Sequence, residues 1–321
     1  MIKQEVILTV HDAGIGGKLI LDASGLRVDF DVRKLPGYNR ATATIYNLNE
    51  ATVASLMSGD RFITIKTRLH GGKLYTLADR YYLSNTVDEL NLPDRTTKLY
   101  MFDSPKKDIL EKQINISVRQ PSLSNCVKQV YAAGGGTGTA VFSSFPKDEH
   151  LKIPPRGRRV FNGSVENVFS SLAEEFKFVQ YNMDGAGIAI MYKPDSGEDA
   201  ELNSEQPTIV LQTDAMKSNP KIGIASASIV SNLDPRIVPT SVIDLSQLLT
   251  IGVDATEQTL RIADVPGGYL KNFSSSKYQA FTVVHTGSNY TASWDTTITA
   301  RSPTKGKLMS TVQWANINKG V

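Results

Sequence analysis

Two stretches far apart in the chain alternate apolar and polar residues without a break. In the first, Leu26, Val28, Phe30 and Val32 alternate with Arg27, Asp29, Asp31 and Arg33. In the second, Trp294, Thr296, Ile298 and Ala300 alternate with Ser293, Asp295, Thr297 and Thr299. A period of two is what a strand needs when one face is buried and the other is wet. Tyr278 to Val284, rich in aromatic and β-branched residues, predicts the partner strand of a late hairpin, with Gly287, Ser288 and Asn289 as its turn. After the first stretch, LPGYN reads as a turn and ATATIYNL as the returning strand. NEATVASLM then reads as a short helix capped by Asn49, with Glu50 in the first turn where the helix dipole favours it. Gly59 and Asp60 end that helix, and RFITIKTRL, YTLADRYYLSNTV and TTKLYMFD follow as strands, with Gly71 and Gly72 turning the chain between the first two.

The period changes in the middle of the chain. Val165, Val168, Phe169, Leu172, Ala173 and Phe176 recur at spacings of three and four behind Ser164, with Glu166, Glu174 and Glu175 off the stripe, which predicts an amphipathic helix with a serine cap. A second helix is predicted from Ser122 to the glycines after Ala133, and short strands around Ile116, Lys177 and Gly187 make this an α+β module. The polar segment Asp195 to Pro207 reads as a loop or linker. Three blocks result, 1–108, 109–219 and 220–321, mainly β with an α+β middle. The outer blocks echo each other in pattern: GDRFITIK is placed like PTSVIDLS, and RYYLSNTV with TTKLYMFD like YQAFTVVH with DTTITARS.

Composition narrows the classes of function. The chain of 321 residues, 40% hydrophobic and 21% charged, is that of an ordinary globular protein, and its longest apolar runs are too short to cross a bilayer. MIKQEVILTV lacks the apolar core and small-residue cleavage site of a signal peptide, so the expected site of synthesis is the cytoplasm. With 35 Lys+Arg against 32 Asp+Glu, dispersed along the chain, specific nucleic-acid binding is not expected. RGRR, Arg156 to Arg159, reads as a solvated turn. The single cysteine, Cys126, excludes an intrachain disulfide, and its neighbours Leu123, Val127 and Val130 place it on an apolar helix face. GGGTGT, Gly134 to Thr139, follows a helix and precedes a strand, the reverse of a phosphate loop, and lacks the Lys that such a loop requires. His11, His70, His150 and His285 are scattered, without metal-ligand spacing. Glu174 and Glu175 lie on the outer face of a helix, and no GxSxG elbow occurs. No catalytic, cofactor or metal-binding residue is therefore assigned.

Taken in order, LRVDFDV, ATATIYNLNEATVASL, GDRFITIK, SNLDPRIVPTSVIDL and YQAFTVVHTGSNYTASWDTTITA resemble the baseplate hub proteins of contractile-tailed bacteriophages. The positions that carry the resemblance are Tyr46, Asn47 and Leu48 at the end of the early strand, and Pro239, Tyr278, Val284, His285, Gly287 and Trp294 in the late segment. Ser288 stands where an Asp after the glycine is common in that family. The resemblance covers the two outer blocks and implies two tail-tube-like β-domains flanking the α+β module. It further implies a homotrimer that presents six such domains around a channel and adapts a sixfold tail tube to a threefold spike in the baseplate of a virion assembled in the host cytoplasm. The partners it implies are the central spike protein, the tail tube or tube-initiator protein and the baseplate wedge proteins, with no membrane and no specific nucleic acid. Two other classes stay open on the residues alone: a non-catalytic tail accessory or carbohydrate-binding module, and a tail-associated peptidoglycan hydrolase using a middle-block Glu. Trp294, sharing a face with Ile298 and Ala300, is expected to be a core anchor of the closing hairpin.

Overall fold

The computed structural model describes residues 5–13, 17–68, 72–91, 94–103, 107–119, 122–136, 139–142, 144–146, 158–183, 187–192, 200–202, 208–218, 220–222, 226–249 and 277–301. The fold is mainly β. The early part comprises β1 (Glu5–Asp12), β2 (Leu19–Asp22), β3 (Val28–Lys34), β4 (Arg40–Tyr46), helix α1 (Glu50–Met57), β5 (Arg61–Arg68), β6 (Leu74–Asn91) and β7 (Asp94–Phe102). The middle holds α2 (Lys107–Glu111), β8 (Gln113–Arg119), α3 (Leu123–Ala133), β9 (Thr139–Phe142), β10 (Ser144–Pro146), β11 (Arg158–Ser164), α4 (Val165–Phe176), β12 (Phe178–Met183), β13 (Gly187–Tyr192) and β14 (Ala200–Leu202). The late part comprises β15 (Thr208–Val210), β16 (Lys221–Ile222), β17 (Ser226–Asn232), β18 (Val242–Asp244), α5 (Ser246–Leu249), β19 (Lys277–Ser288) and β20 (Trp294–Arg301).

The alternating stretches form the strands their patterns predict. Val28, Phe30 and Val32 are buried along β3, and Trp294, Thr296, Ile298 and Ala300 along β20. Asn49 caps α1, its side-chain oxygen accepting from the Thr52 amide at 2.8 Å, and the helix buries only Val53 and Leu56. Early and late strands join in one sheet in the order β16-β17-β20-β19-β3-β4-β7-β6-β5-β1-β2, with β18 beside β19 and β15 beside β18. Nothing in the local patterns foretells that continuity, which rests on the antiparallel pairing of β19 with β3.

The middle elements form smaller sheets, β8 with β11, β10 with β14, and β12-β13-β9. Ser122 and Ser164 cap α3 and α4, each accepting from the amide three residues on. The helices pack Leu123, Cys126, Val127 and Val130 against Val165, Phe169 and Leu172. Two expectations are corrected here. The end of RGRR is strand and not turn: Arg158 and Arg159 pair with Arg119 and Val118 of β8. The Arg159 guanidinium carbon lies 5.3 and 5.8 Å from the centroids of the Phe161 and Phe176 rings, and the same guanidinium pairs with Glu175. A cationic side chain can thus serve a strand by stacking over aromatic rings while it stays paired with a carboxylate. Within the polar segment Asp195 to Pro207, Ala200–Leu202 forms β14 on β10, a short pairing made by backbone groups that hydrophobic patterning does not report.

Candidate assembly interface

The groups that first invite a chemical reading occupy structural places. Gly134 to Gly136 close α3: the Gly136 amide donates to the Tyr131 carbonyl at 3.0 Å and the Gly135 amide to Ala132 at 2.9 Å, with Gly135 left-handed at φ +96°. That is the 6→1 and 5→2 pattern by which a glycine ends a helix. A side chain at Gly136 would fall 2.3 Å from the Tyr131 ring, so the run also permits close packing. Cys126 is buried, which pushes its thiol pKa up. His11 meets only the Gly17 carbonyl, at 3.3 Å, while His70, His150, Arg156 and Trp314 lie outside the described residues. Glu175 is committed to Arg159. Among the described residues no cluster of three or more His, Cys, Asp or Glu could hold a metal.

What the structure does bring together is a seam. Residues Val283 to Ser288 of β19 pair with Lys34 back to Asp29 of β3, so strands more than 240 positions apart share a register. At its centre Gly287 faces Phe30, and a Cβ there would sit 2.7 Å from the Phe30 ring. Trp294, opposite Gly287 on β20, meets Phe30 edge to face with centroids 5.8 Å apart, and its indole N–H donates to the Ser288 carbonyl at 2.6 Å. Trp294 is buried as expected but packs within the early core, whereas Ile298 and Ala300 of the same face belong to the late core. It ties the two together instead of anchoring the late one. The turn is also displaced: Gly287 and Ser288 are strand, and Asn289 is a clamp, its carboxamide accepting from the Val28 amide at 2.9 Å and donating to the Leu26 carbonyl at 2.6 Å.

His285 is a fully buried titratable group of the seam. One ring nitrogen lies 3.0 Å from the Thr296 hydroxyl and the other 3.1 Å from the Ile237 carbonyl. Burial above all, then the Lys34 charge, lowers its pKa to about 3, against the smaller opposing influence of the Ile237 carbonyl and Asp234. A neutral imidazole can donate to the carbonyl and accept from the hydroxyl, so both nitrogens are satisfied without charge.

The echo of the outer blocks extends to register. The chain order β3, β4, β5, β6, β7 and its pairing β3-β4-β7-β6-β5 are repeated by β16, β17, β18, β19, β20 and the pairing β16-β17-β20-β19-β18. Both hairpins carry a bulge at the same step: Leu83↔Met101 is followed by Asn85↔Tyr100, and Ala280↔Ala300 by Thr282↔Thr299. Counting on from the bulge, Asp88 faces Thr97 and His285 faces Thr296, and each pair is hydrogen-bonded, at 2.8 and 3.0 Å. Where each bundle leaves its second strand, the Asn47 amide donates to the Arg95 carbonyl at 2.8 Å and the Leu233 amide to the Trp294 carbonyl at 3.0 Å. Sequence comparison of the halves gave the order of strands; the shared bulge and threonine were present in the sequence but needed pairing to become visible.

No family model matches the chain, and no curated protein matches it. Two solved structures share its fold. One is the 43 kDa tail protein of prophage MuSo2 from Shewanella oneidensis, 8% identical, with a TM-score of 0.50 over 93% of this chain and 98% of that one. The other is a tail protein from Neisseria meningitidis MC58, also 8% identical with a TM-score of 0.50, over 92% of this chain and 96% of that one.

Proposed function

We propose that the chain is a structural protein of a phage-type tail, the baseplate hub that adapts a sixfold tube to a threefold spike by forming a homotrimeric ring. The observation that carries the reading is the repetition of one five-strand pairing twice in a single sheet. Two like units per chain become six in a trimer, which is what a sixfold partner requires. On this reading blocks 1–108 and 220–321 are the tube-like units and 109–219 is the module beside them, with β15 lent to the later unit. The fold shared with two tail proteins agrees with it. The central spike, the tail tube or tube initiator and the baseplate wedge are the partners this role demands, and its place is the virion tail. It assigns no catalysis; the Gly134–Gly136 run, Cys126, Glu175 and His285 have structural places. Light scattering coupled to size exclusion, followed by class averages of the assembled particle, tests the reading: three copies with threefold symmetry are expected, and a monomer at every concentration would sink it.

A further inference from the structure

The internal seam is a template for an external one. In the later unit, β19 pairs with β18 over Lys277–Gln279 and then, along the same edge, with β3 over Val283–Ser288. In the earlier unit, β6 pairs with β5 from Leu74 to Tyr82, and among the described residues no strand pairs with that edge beyond Tyr82. By the shared register, Thr86 to Asn91 of β6 correspond to Val283 to Ser288 of β19. The counterpart of β3 is β16, which among the described residues ends the sheet path and pairs with β17 alone. Among the described residues each chain therefore carries one half of a seam at each end of its repeated strands: the β6 edge beyond Tyr82 and the outer β16 edge. Exposed edges of this kind seek another strand.

We infer that Asp88–Leu90 of one copy pairs antiparallel with Pro220–Ile222 of a second copy, in the register that β19 and β3 use within the chain. The inference rests on the ring proposed above and specifies its joint. Since Thr286 faces Asp31 and His285 faces Val32 in the internal seam, Glu89 of one copy faces Lys221 of the next, and Asp88 faces Ile222. Glu89 and Lys221 are both exposed in the single chain, and their charges are opposite, the favourable arrangement for a cross-strand pair. The next pair supports the same register by size. Internally a glycine, Gly287, admits the ring of Phe30; externally Leu90, 70% exposed, meets Pro220. Large and small have changed sides, and an exposed leucine on a strand gains a cover. Because the β6 edge of each copy meets the β16 edge of the next, the contact is heterologous, the head-to-tail kind from which closed rings are built.

The test uses the full chain, with the buried Cys126 left in place. Chains carrying Glu89→Cys are mixed with chains carrying Lys221→Cys and oxidised, so that only a contact between copies gives a covalent dimer; the double variant is expected to give a covalent trimer. Val87→Cys mixed with Lys221→Cys, two residues out of register on the same strand face, is expected to link far less. Separately, Glu89→Lys or Lys221→Glu should each weaken self-association roughly fivefold, the scale of one cross-strand charge pair, and the double swap should restore it. Trimers by light scattering with no Glu89–Lys221 link, or with the Val87 pair linking as well as the Glu89 pair, overturn the joint and leave the ring standing. Absence of any oligomer at every concentration overturns both.

Discussion

The hairpins β6–β7 and β19–β20 are built on one plan and finished differently. Both keep the bulge and the buried threonine, Thr97 or Thr296. Around that frame the later hairpin carries His285, Gly287 and Trp294 where the earlier one carries Asp88, Leu90 and Arg95. Asp88 is held by Arg95, at 2.6 Å, and by Thr97, and the Arg95 contact is the main reason its pKa lies below the ordinary carboxylate value. The later hairpin is covered by β3, so His285 and Trp294 sit there as a neutral imidazole and an indole with their polar atoms satisfied. Among the described residues no strand covers the earlier edge beyond Tyr82, and it carries an ion pair and an exposed Glu89, features that keep a lone edge soluble. Covering, and not strand pattern, separates the two.

The comparison breaks most sharply at the tryptophan. Trp294→Ala should destabilise the chain by about 3 to 5 kcal/mol, the range for removing a large aromatic from a core. Arg95→Ala, at the matching position, should cost far less, because that ion pair is only partly shielded from solvent. Urea titrations of both variants measure the contrast, and equal losses would show that the seam contributes no more than an open edge. Gly287→Leu should cost about 1 to 3 kcal/mol by forcing a side chain into the Phe30 ring, and Leu90→Ala should leave the single chain within about 0.5 kcal/mol of the parent. Thermal melts distinguish them.

Acid sharpens the contrast further. His285 is neutral in the folded chain down to about pH 3, while an unfolded histidine takes up its proton near its ordinary value of 6.5. Between those values the unfolded state binds more protons, so stability from this residue is complete above about pH 6.5 and falls as the pH drops through the window, by at most about 1.4 kcal/mol per pH unit. His285→Gln should flatten that slope. Asp88, whose folded pKa is lowered, withdraws its contribution only as the pH falls below the ordinary carboxylate value of 3.8, so Asp88→Asn should leave the slope between pH 6 and 5 unchanged. Unfolding midpoints against pH for the two variants decide it. The most local effect is expected at α1, which has no helical counterpart in the later unit: Asn49→Ala should cost about 1 kcal/mol through the lost cap, read as earlier exchange of the amides of Thr52 and Val53.

Much of the architecture was legible in the residues. Alternation marked β3 and β20, serine and asparagine marked the starts of α1, α3 and α4, and a stripe at three and four marked α4, because each of these signals arises from neighbours within a few positions. The echo of the outer blocks was legible as an order of strands. Illegible were β14 and the start of β11, where backbone pairing and an arginine guanidinium over aromatic rings stand in for apolar side chains, and the true role of Asn289, whose carboxamide looks like turn chemistry until Val28 and Leu26 are beside it.

By itself the sequence determined which segments become strands and helices and which faces they bury, since period and capping are local properties of the chain. Only the tertiary structure decided that β3 lies against β19, that Trp294 serves the early core, and that among the described residues no strand pairs with β6 beyond Tyr82 or with the outer edge of β16. Those outcomes depend on pairing between residues hundreds of positions apart, and a strand's alternation fixes the side of the sheet on which its side chains lie without naming its neighbour along either edge.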